Sequence, residues 1–231
     1  MEKKESPKKE SVKPAGDIEP KTGSFFRKIS VISGRLFGII KFILGVCLLP
    51  FVYSSTKSFL QEFSLVASAG KNYFWSGVIT FIVIYLFIWE PAVIYNKGHE
   101  LLEVVFSFFR PLVKVAPYLV PIYTILLFIL YALLSLVIKD AWFLRDALFL
   151  FGFSIVLHLV FSARTVRSKK DDFLKANYLF GFSFIYIINI FILACGLSTV
   201  FKDFSFVNFG KSAFEAAGSI FHVVFRQLFL R

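Results

Sequence analysis

Long apolar runs constrain this chain more than any other feature of its sequence. Five runs, separated by polar or charged stretches, have the composition of membrane spans: 36–53, 73–95, 118–138, 147–161 and 178–199. A transmembrane helix needs about 20 mostly apolar residues, and a soluble domain of 231 residues would not carry so many such runs. The sequence therefore predicts an all-α, polytopic helical membrane protein with five or six transmembrane helices plus amphipathic helices.

The first 24 residues differ sharply from the rest of the chain. They consist mainly of Lys, Glu, Ser and Pro, with almost no apolar side chain. Such a segment cannot bury enough apolar surface to form a core. We therefore expect a disordered polar tail over 1–24 and a helical membrane domain over 25–231. Because no apolar core starts within the tail, we do not expect a cleaved signal peptide.

The net charge of +11 is best explained by the membrane. No stripe of aromatic and basic residues lies outside the apolar runs, so we expect contact with membrane lipids and no nucleic-acid binding. Basic residues concentrate before the first run and in segments 97–114 and 164–175, whereas the intervening segments are poorer in them. The positive-inside rule then predicts a multi-pass protein of the cell membrane with a cytoplasmic N-terminus.

Polar positions within the apolar part suggest how the helices pack. Asn189, at the midpoint of the fifth run, should bond to a neighbouring helix. Cys47 and Cys195 are expected to be small buried hydrophobic residues. The last stretch, 204–231, carries a polar stripe and either crosses the membrane or lies at its surface, which decides between five and six spans. Lys211 and Glu215, one turn apart, are expected to pair and to hide this stripe from lipid.

A short motif, His99-Glu100-Leu101-Leu102-Glu103, lies after the second run. It differs at one position from the His-Glu-x-x-His helix of zinc metalloproteases, in which two imidazoles on one face bind zinc and the glutamate activates water. Glu103 replaces the second histidine, and a carboxylate is also a zinc ligand. Pro91 is expected to bend or break the helix before the motif. The alternative is that His99, Glu100 and Glu103 form only the wet face of an amphipathic helix.

From Phe74 onward the chain resembles membrane proteins of the site-2-protease type, a group of intramembrane zinc metalloproteases. The matching segments are Phe74-Trp75-Ser76-Gly77, residues 91–95, the motif at His99, the Pro-rich run 116–123, His158, Asp172, and 178–180 with Asn189. The resemblance implies zinc bound by His99 and Glu103, with Glu100 as the catalytic base. No Asp-Gly pair follows in a later run, and His158 is the candidate for the third ligand. We therefore expect His99, Glu103 and His158 to surround one ion.

Three functions remain open at this point. Glu103 stands where the family has histidine, and the segment between the motif and the Pro-rich run is short. These departures favour a catalytically degenerate relative that binds or shields other membrane proteins. The first alternative is an active intramembrane zinc metalloprotease that uses the His-Glu-x-x-Glu site. The second is a small transporter or lipid-binding protein, although no inverted repeat is visible in the sequence.

Overall fold

The structure, a computed structural model, describes residues 21–88, 91–108, 110–168 and 178–229. Within these ranges the chain forms eight α-helices and no strand: α1 (Lys21–Leu65), α2 (Ser68–Val83), α3 (Ala92–Val105), α4 (Arg110–Leu119), α5 (Ile122–Leu134), α6 (Ala141–Ser168), α7 (Tyr178–Val200) and α8 (Phe206–Phe229). The predicted all-α class is confirmed. Helix α1 begins inside the predicted tail, whose residues 1–20 lie outside the described ranges. Contacts divide the chain into two units, Met1–Phe37 and Gly38–Arg231, and the packing below concerns the second.

Four helical segments in the described ranges are long and apolar enough to cross a membrane. They are Leu36–Leu65, Ser68–Ile88, Ala141–Arg167 and Tyr178–Val200, and Ile122–Leu134 is a shorter apolar helix. The second segment combines α2 with a π-helical continuation, Ile84–Ile88. Together, the four segments and α5 correspond to the five spans expected from the sequence. The chain is therefore a polytopic helical membrane protein.

Helix α1 continues past residue 53, where the first apolar run ends, into the polar stretch before the second run. It passes through Pro50 and ends at Leu65. The hydroxyls of this polar stretch bond back to carbonyls of the preceding turn: Ser55 Oγ to Phe51 O at 2.5 Å and Thr56 Oγ1 to Val52 O at 2.7 Å. Because these side chains are satisfied within the helix, the polar composition does not end it.

Helix α6 lies at the centre of the bundle and packs against α2, α3, α5 and α7. Its contact with α2 is a backbone contact, made possible by one glycine on each helix. A Cβ at Gly77 would collide with the carbonyl oxygen of Phe149, and a Cβ at Gly152 would collide with that of Phe74. Only glycine permits this approach. Phe151, Leu148 and Ile155 extend the buried apolar core from this contact.

Prolines interrupt two of the apolar runs. Pro91 lies outside helical geometry, with φ −79° and ψ 43°, and α3 begins directly after it, which confirms the predicted break. The run predicted as one clean span over 118–138 is instead divided, because α4 ends at Leu119 and α5 begins after Pro121. Proline lacks the N–H that would continue the α4 hydrogen bonds. Two helix breaks therefore lie close to the motif at His99.

Two packing expectations are wrong in the described chain. Cys47 and Cys195 are exposed rather than buried, because each lies on an outward face of its helix. Lys211 and Glu215 do pair, at 4.0 Å, but their side chains are 73% and 67% exposed. The packing face of α8 is instead formed by apolar residues at a spacing of four, namely Phe209, Ala213 and Ala217. The polar stripe is thus turned outward.

Candidate functional site

The motif residues lie on helix α3. His99 and Glu103 are one turn apart, and His99 Nδ1 lies 3.2 Å from Glu103 Oε1. The two side chains share a face, as residues four apart on a helix must, and they are 22% and 49% exposed. Glu100, the predicted base, is exposed. A carboxylate that accepts a hydrogen bond from one imidazole nitrogen fixes the orientation of the ring. Glu103 therefore positions His99.

His158 lies on α6 and is only 5% exposed. Its Nε2 atom is 3.1 Å from the carbonyl oxygen of Tyr118 and 3.2 Å from Ser162 Oγ. A carbonyl oxygen can only accept a hydrogen bond, so Nε2 carries the proton and donates a hydrogen bond to the carbonyl of Tyr118. The imidazole is therefore held as the tautomer in which Nε2 is the donor.

The helix break at Pro121 explains why His158 is needed there. Ile122 N, which would bond Tyr118 O in a continuous helix, instead donates to Val120 O at 2.9 Å. The carbonyl of Tyr118 then accepts from His158, and that of Leu119 accepts from Asn189 Nδ2 at 3.1 Å. Broken helices persist in membranes where neighbouring side chains satisfy the freed carbonyls. The prediction that Asn189 bonds to a neighbouring helix is confirmed.

One small cavity joins the two histidines. His99 and His158 both line a space of about 10 Å³, which is close to the volume one water molecule needs. Tyr95 stands between them, its ring centroid 6.2 Å from that of His99 and 6.0 Å from that of His158. Tyr95 also places its hydroxyl 3.3 Å from Ser162 Oγ. Tyr95, His158 and Ser162 are thus buried together, whereas His99 keeps 22% of its side chain exposed.

Helices α3 and α5 close this cavity through a second tyrosine. Tyr123 donates its hydroxyl to the carbonyl of Ile94 at 2.6 Å. The ring of Tyr123 lies so close to Gly98 that a Cβ there would come within 2.7 Å of it. Gly98 is therefore required for the contact between the start of α5 and the motif helix. Gly98 and Tyr123 thus line the cavity where α3 meets α5.

The three expected zinc ligands do not converge on one point. Among the residues that the structure describes, no group of three His, Cys, Asp or Glu side chains is arranged to hold a metal ion. Glu103 is directed at His99 Nδ1, and His158 uses Nε2 for a carbonyl. Zinc requires ligand atoms at about 2.0–2.2 Å, and each imidazole keeps one ring nitrogen for such a bond, since a metal-bound histidine commonly donates its other N–H to a carboxylate or carbonyl. Zinc binding stays a prediction, and Asp172 lies outside the described residues.

Sequence reasoning found both histidines and missed the residues that hold them. Tyr118, Ser162 and Tyr95 complete the polar cluster. A signal for two of them is present, because Tyr95 precedes His99 by four residues and Ser162 follows His158 by four. Residues at that spacing share a helix face. The role of Tyr118 depends on its backbone and leaves no such signal.

Comparison with known proteins adds no relative to this picture. The chain matches no protein-family model, no curated protein and no solved structure.

Proposed function

We propose that this membrane protein is a catalytically inactive relative of site-2-type metalloproteases and acts by binding other membrane proteins. Support for the kinship comes from the sequence pattern from Phe74 onward and from His99 and His158 lining one cavity. The cavity lies between the motif helix α3 and helix α6, which carries His158. The proposed loss of activity rests on the contacts of His99, Glu103 and His158.

One observation carries the inactive assignment, namely that Glu103, which replaces the second histidine of the motif, pairs with His99 Nδ1. His158 commits Nε2 to the backbone carbonyl of Tyr118 and keeps Nδ1 as its possible ligand atom. The cavity that His99 and His158 line has room for about one water, which is too little for a peptide bond. The cluster stabilises a broken helix instead of activating water.

The decisive experiment measures zinc and cleavage together. The wild-type protein and the His99→Ala, His158→Ala and His222→Ala variants are purified in detergent, supplied with zinc and then desalted. We expect less than one zinc per chain in all four, and no cleavage of a single-span substrate in vesicles. His222 is the control because it lies exposed on α8. One zinc per chain, lost in His99→Ala and His158→Ala but kept in His222→Ala, together with cleavage, would establish the active protease instead.

The binding role predicts a contact surface at the end of α3. Phe108, in the turn after α3, is 81% exposed, and Val137, in the turn after α5, is 82% exposed. A photo-crosslinking benzoylphenylalanine is therefore equally accessible to neighbouring molecules at the two positions. In native membranes we expect adducts of protein mass from position 108 and only lipid adducts from position 137. Lipid adducts alone at both positions would contradict a protein partner at this surface.

For orientation, we propose a cell-membrane protein with a cytoplasmic N-terminus. The basic residues crowd into alternate polar segments, and such segments remain on the cytoplasmic side. Cysteines at Ser6 and Ser168, in a background without Cys47 and Cys195, can be labelled with an impermeant maleimide. We expect labelling only after cells are opened. Labelling of either site in intact cells would overturn this orientation.

A further inference from the structure

An apolar groove lies between helices α5 and α6, apart from the histidine cavity. Its volume is about 340 Å³, and its lining is apolar except at one end. Leu127 and Leu130 line it from α5, and Trp142 and Leu150 line it from α6. No residue lines both this groove and the cavity at His99. The groove is therefore a separate feature that the proposed function does not use.

Aromatic contacts hold the floor of this groove in place. Phe128 and Phe151 stack with ring centroids 4.0 Å apart, and Tyr131 stacks on Phe143 at 5.4 Å. Below them, Thr124 and Ser154 share a buried hydrogen bond of 2.9 Å. These contacts fix α5 against α6 along one line, so the space beside that line is part of the folded bundle. It is a preformed space for an apolar chain.

The charged groups at the mouth of the groove differ in whether they have a hydrogen-bond partner. Asp140 accepts from Trp142 Nε1 at 3.2 Å, and Arg145 donates to the hydroxyl of Tyr73 at 3.3 Å. Asp146, which lines the groove, forms no hydrogen bond or ion pair with the part of the chain that the structure describes. The same holds for Lys139, the residue after Ile138 at the groove edge. All four groups keep their charge, but only Lys139 and Asp146 have no hydrogen-bond partner within the described chain.

We propose that this groove binds one acyl chain of a phosphatidylethanolamine molecule from the bilayer. The acyl chain fills the apolar space, whose only charged lining residue is Asp146. The head-group ammonium meets Asp146, and the phosphate meets Lys139. Phosphatidylglycerol, an anionic phospholipid without an ammonium group, would bring only negative charge toward Asp146. Trp142 lies at the mouth, where indole rings favour the membrane interface.

Trp142 is a built-in reporter for this lipid. A variant with Trp75→Phe and Trp89→Phe keeps Trp142 as its single tryptophan. It is placed in phosphatidylglycerol vesicles with a small fraction of phosphatidylethanolamine brominated on its acyl chains, and in the reverse mixture at the same fraction. Bromine quenches indole fluorescence on contact. We expect the brominated phosphatidylethanolamine to quench more strongly, with an apparent preference of roughly fivefold, the effect of one charge pair near a membrane surface.

Three further variants of this single-tryptophan protein separate a site from ordinary lipid contact. Asp146→Asn should abolish the preference between the two lipids. Leu130→Phe should fill the groove and reduce quenching, whereas Leu126→Phe, on the same helix but outside the groove lining, should not. Equal quenching in both mixtures, unchanged by Asp146→Asn, would show contact with bulk lipid only. Absence of quenching would show that lipid does not enter. Either result overturns the proposal without bearing on zinc or cleavage.

Discussion

The two halves of helix α6 meet their neighbours in opposite ways. In the first half, Gly152 and the backbone of Phe149 press directly against the backbone of α2. In the second half, His158 and Ser162 project polar atoms toward α3 and α4. The difference follows from the partner. Helix α2 is continuous where it meets α6, so its carbonyls are satisfied, whereas α4 ends beside His158 and leaves a carbonyl to be bonded.

The comparison teaches where a membrane bundle requires polar residues. Between intact helices the gain comes from close packing of small residues. Beside a helix break, a donor must be supplied, since an unbonded carbonyl in an apolar surrounding costs several kcal/mol. His158 and Asn189 meet this need for Tyr118 and Leu119. Two polar residues within spans, His158 and Asn189, thus mark a break in a neighbouring helix.

The largest loss of stability should come from substitutions at the glycine contact between α2 and α6. Gly77→Ala or Gly152→Ala places a methyl group against a carbonyl of the facing helix, and overpacking of this kind costs roughly 3 kcal/mol. We expect the melting temperature in detergent to fall by roughly 10 °C. Gly210→Ala and Gly218→Ala are matched controls, because a Cβ at either has nothing within 4 Å. If all four variants melt together, the two helices do not approach as described.

Substitution of His158, in the second half of α6, should cause a smaller loss of stability. His158→Ala leaves the carbonyl of Tyr118 buried without its donor, which costs about 2 kcal/mol. His158→Gln keeps an N–H donor and should recover part of the stability. The comparison is thermal unfolding in detergent against His222→Ala on the exposed side of α8. A His158→Ala variant as stable as His222→Ala would mean that the bond to Tyr118 contributes nothing.

Much of the fold was predictable because apolar runs and prolines act locally. The five apolar helices, the break at Pro91 and the interhelical bond of Asn189 all follow from the sequence. The course of α1 beyond residue 53 did not, because composition does not reveal that Ser55 and Thr56 bond within their own helix. The break at Pro121 was missed for a similar reason. An apolar run containing proline remains one span or divides according to what neighbouring helices offer.

The candidate site was predictable only in part. The spacing of His99 and Glu103 places them on one helix face, and the structure pairs them. That His158 lies beside the same cavity agrees with the predicted topology. Its partner, however, is a backbone carbonyl 40 residues away in sequence. No residue type signals such a contact, so the use of His158 could be learned only from the fold.

The smallest effect should come from helix α8, which neither packs through glycine nor faces a helix break. If the polar stripe of α8 were hidden from lipid, Glu215→Leu would clearly destabilise the protein. In the structure the Lys211–Glu215 pair is 4.0 Å long and largely exposed, and pairs of this kind contribute about 0.5 kcal/mol or less. We therefore expect Glu215→Leu to shift the melting temperature in detergent by about 2 °C at most. Glu215→Gln, which removes the charge but keeps the polarity, should behave alike. A fall as large as that of His158→Ala would show that the stripe is buried against something, as a membrane-crossing α8 with a hidden polar face requires.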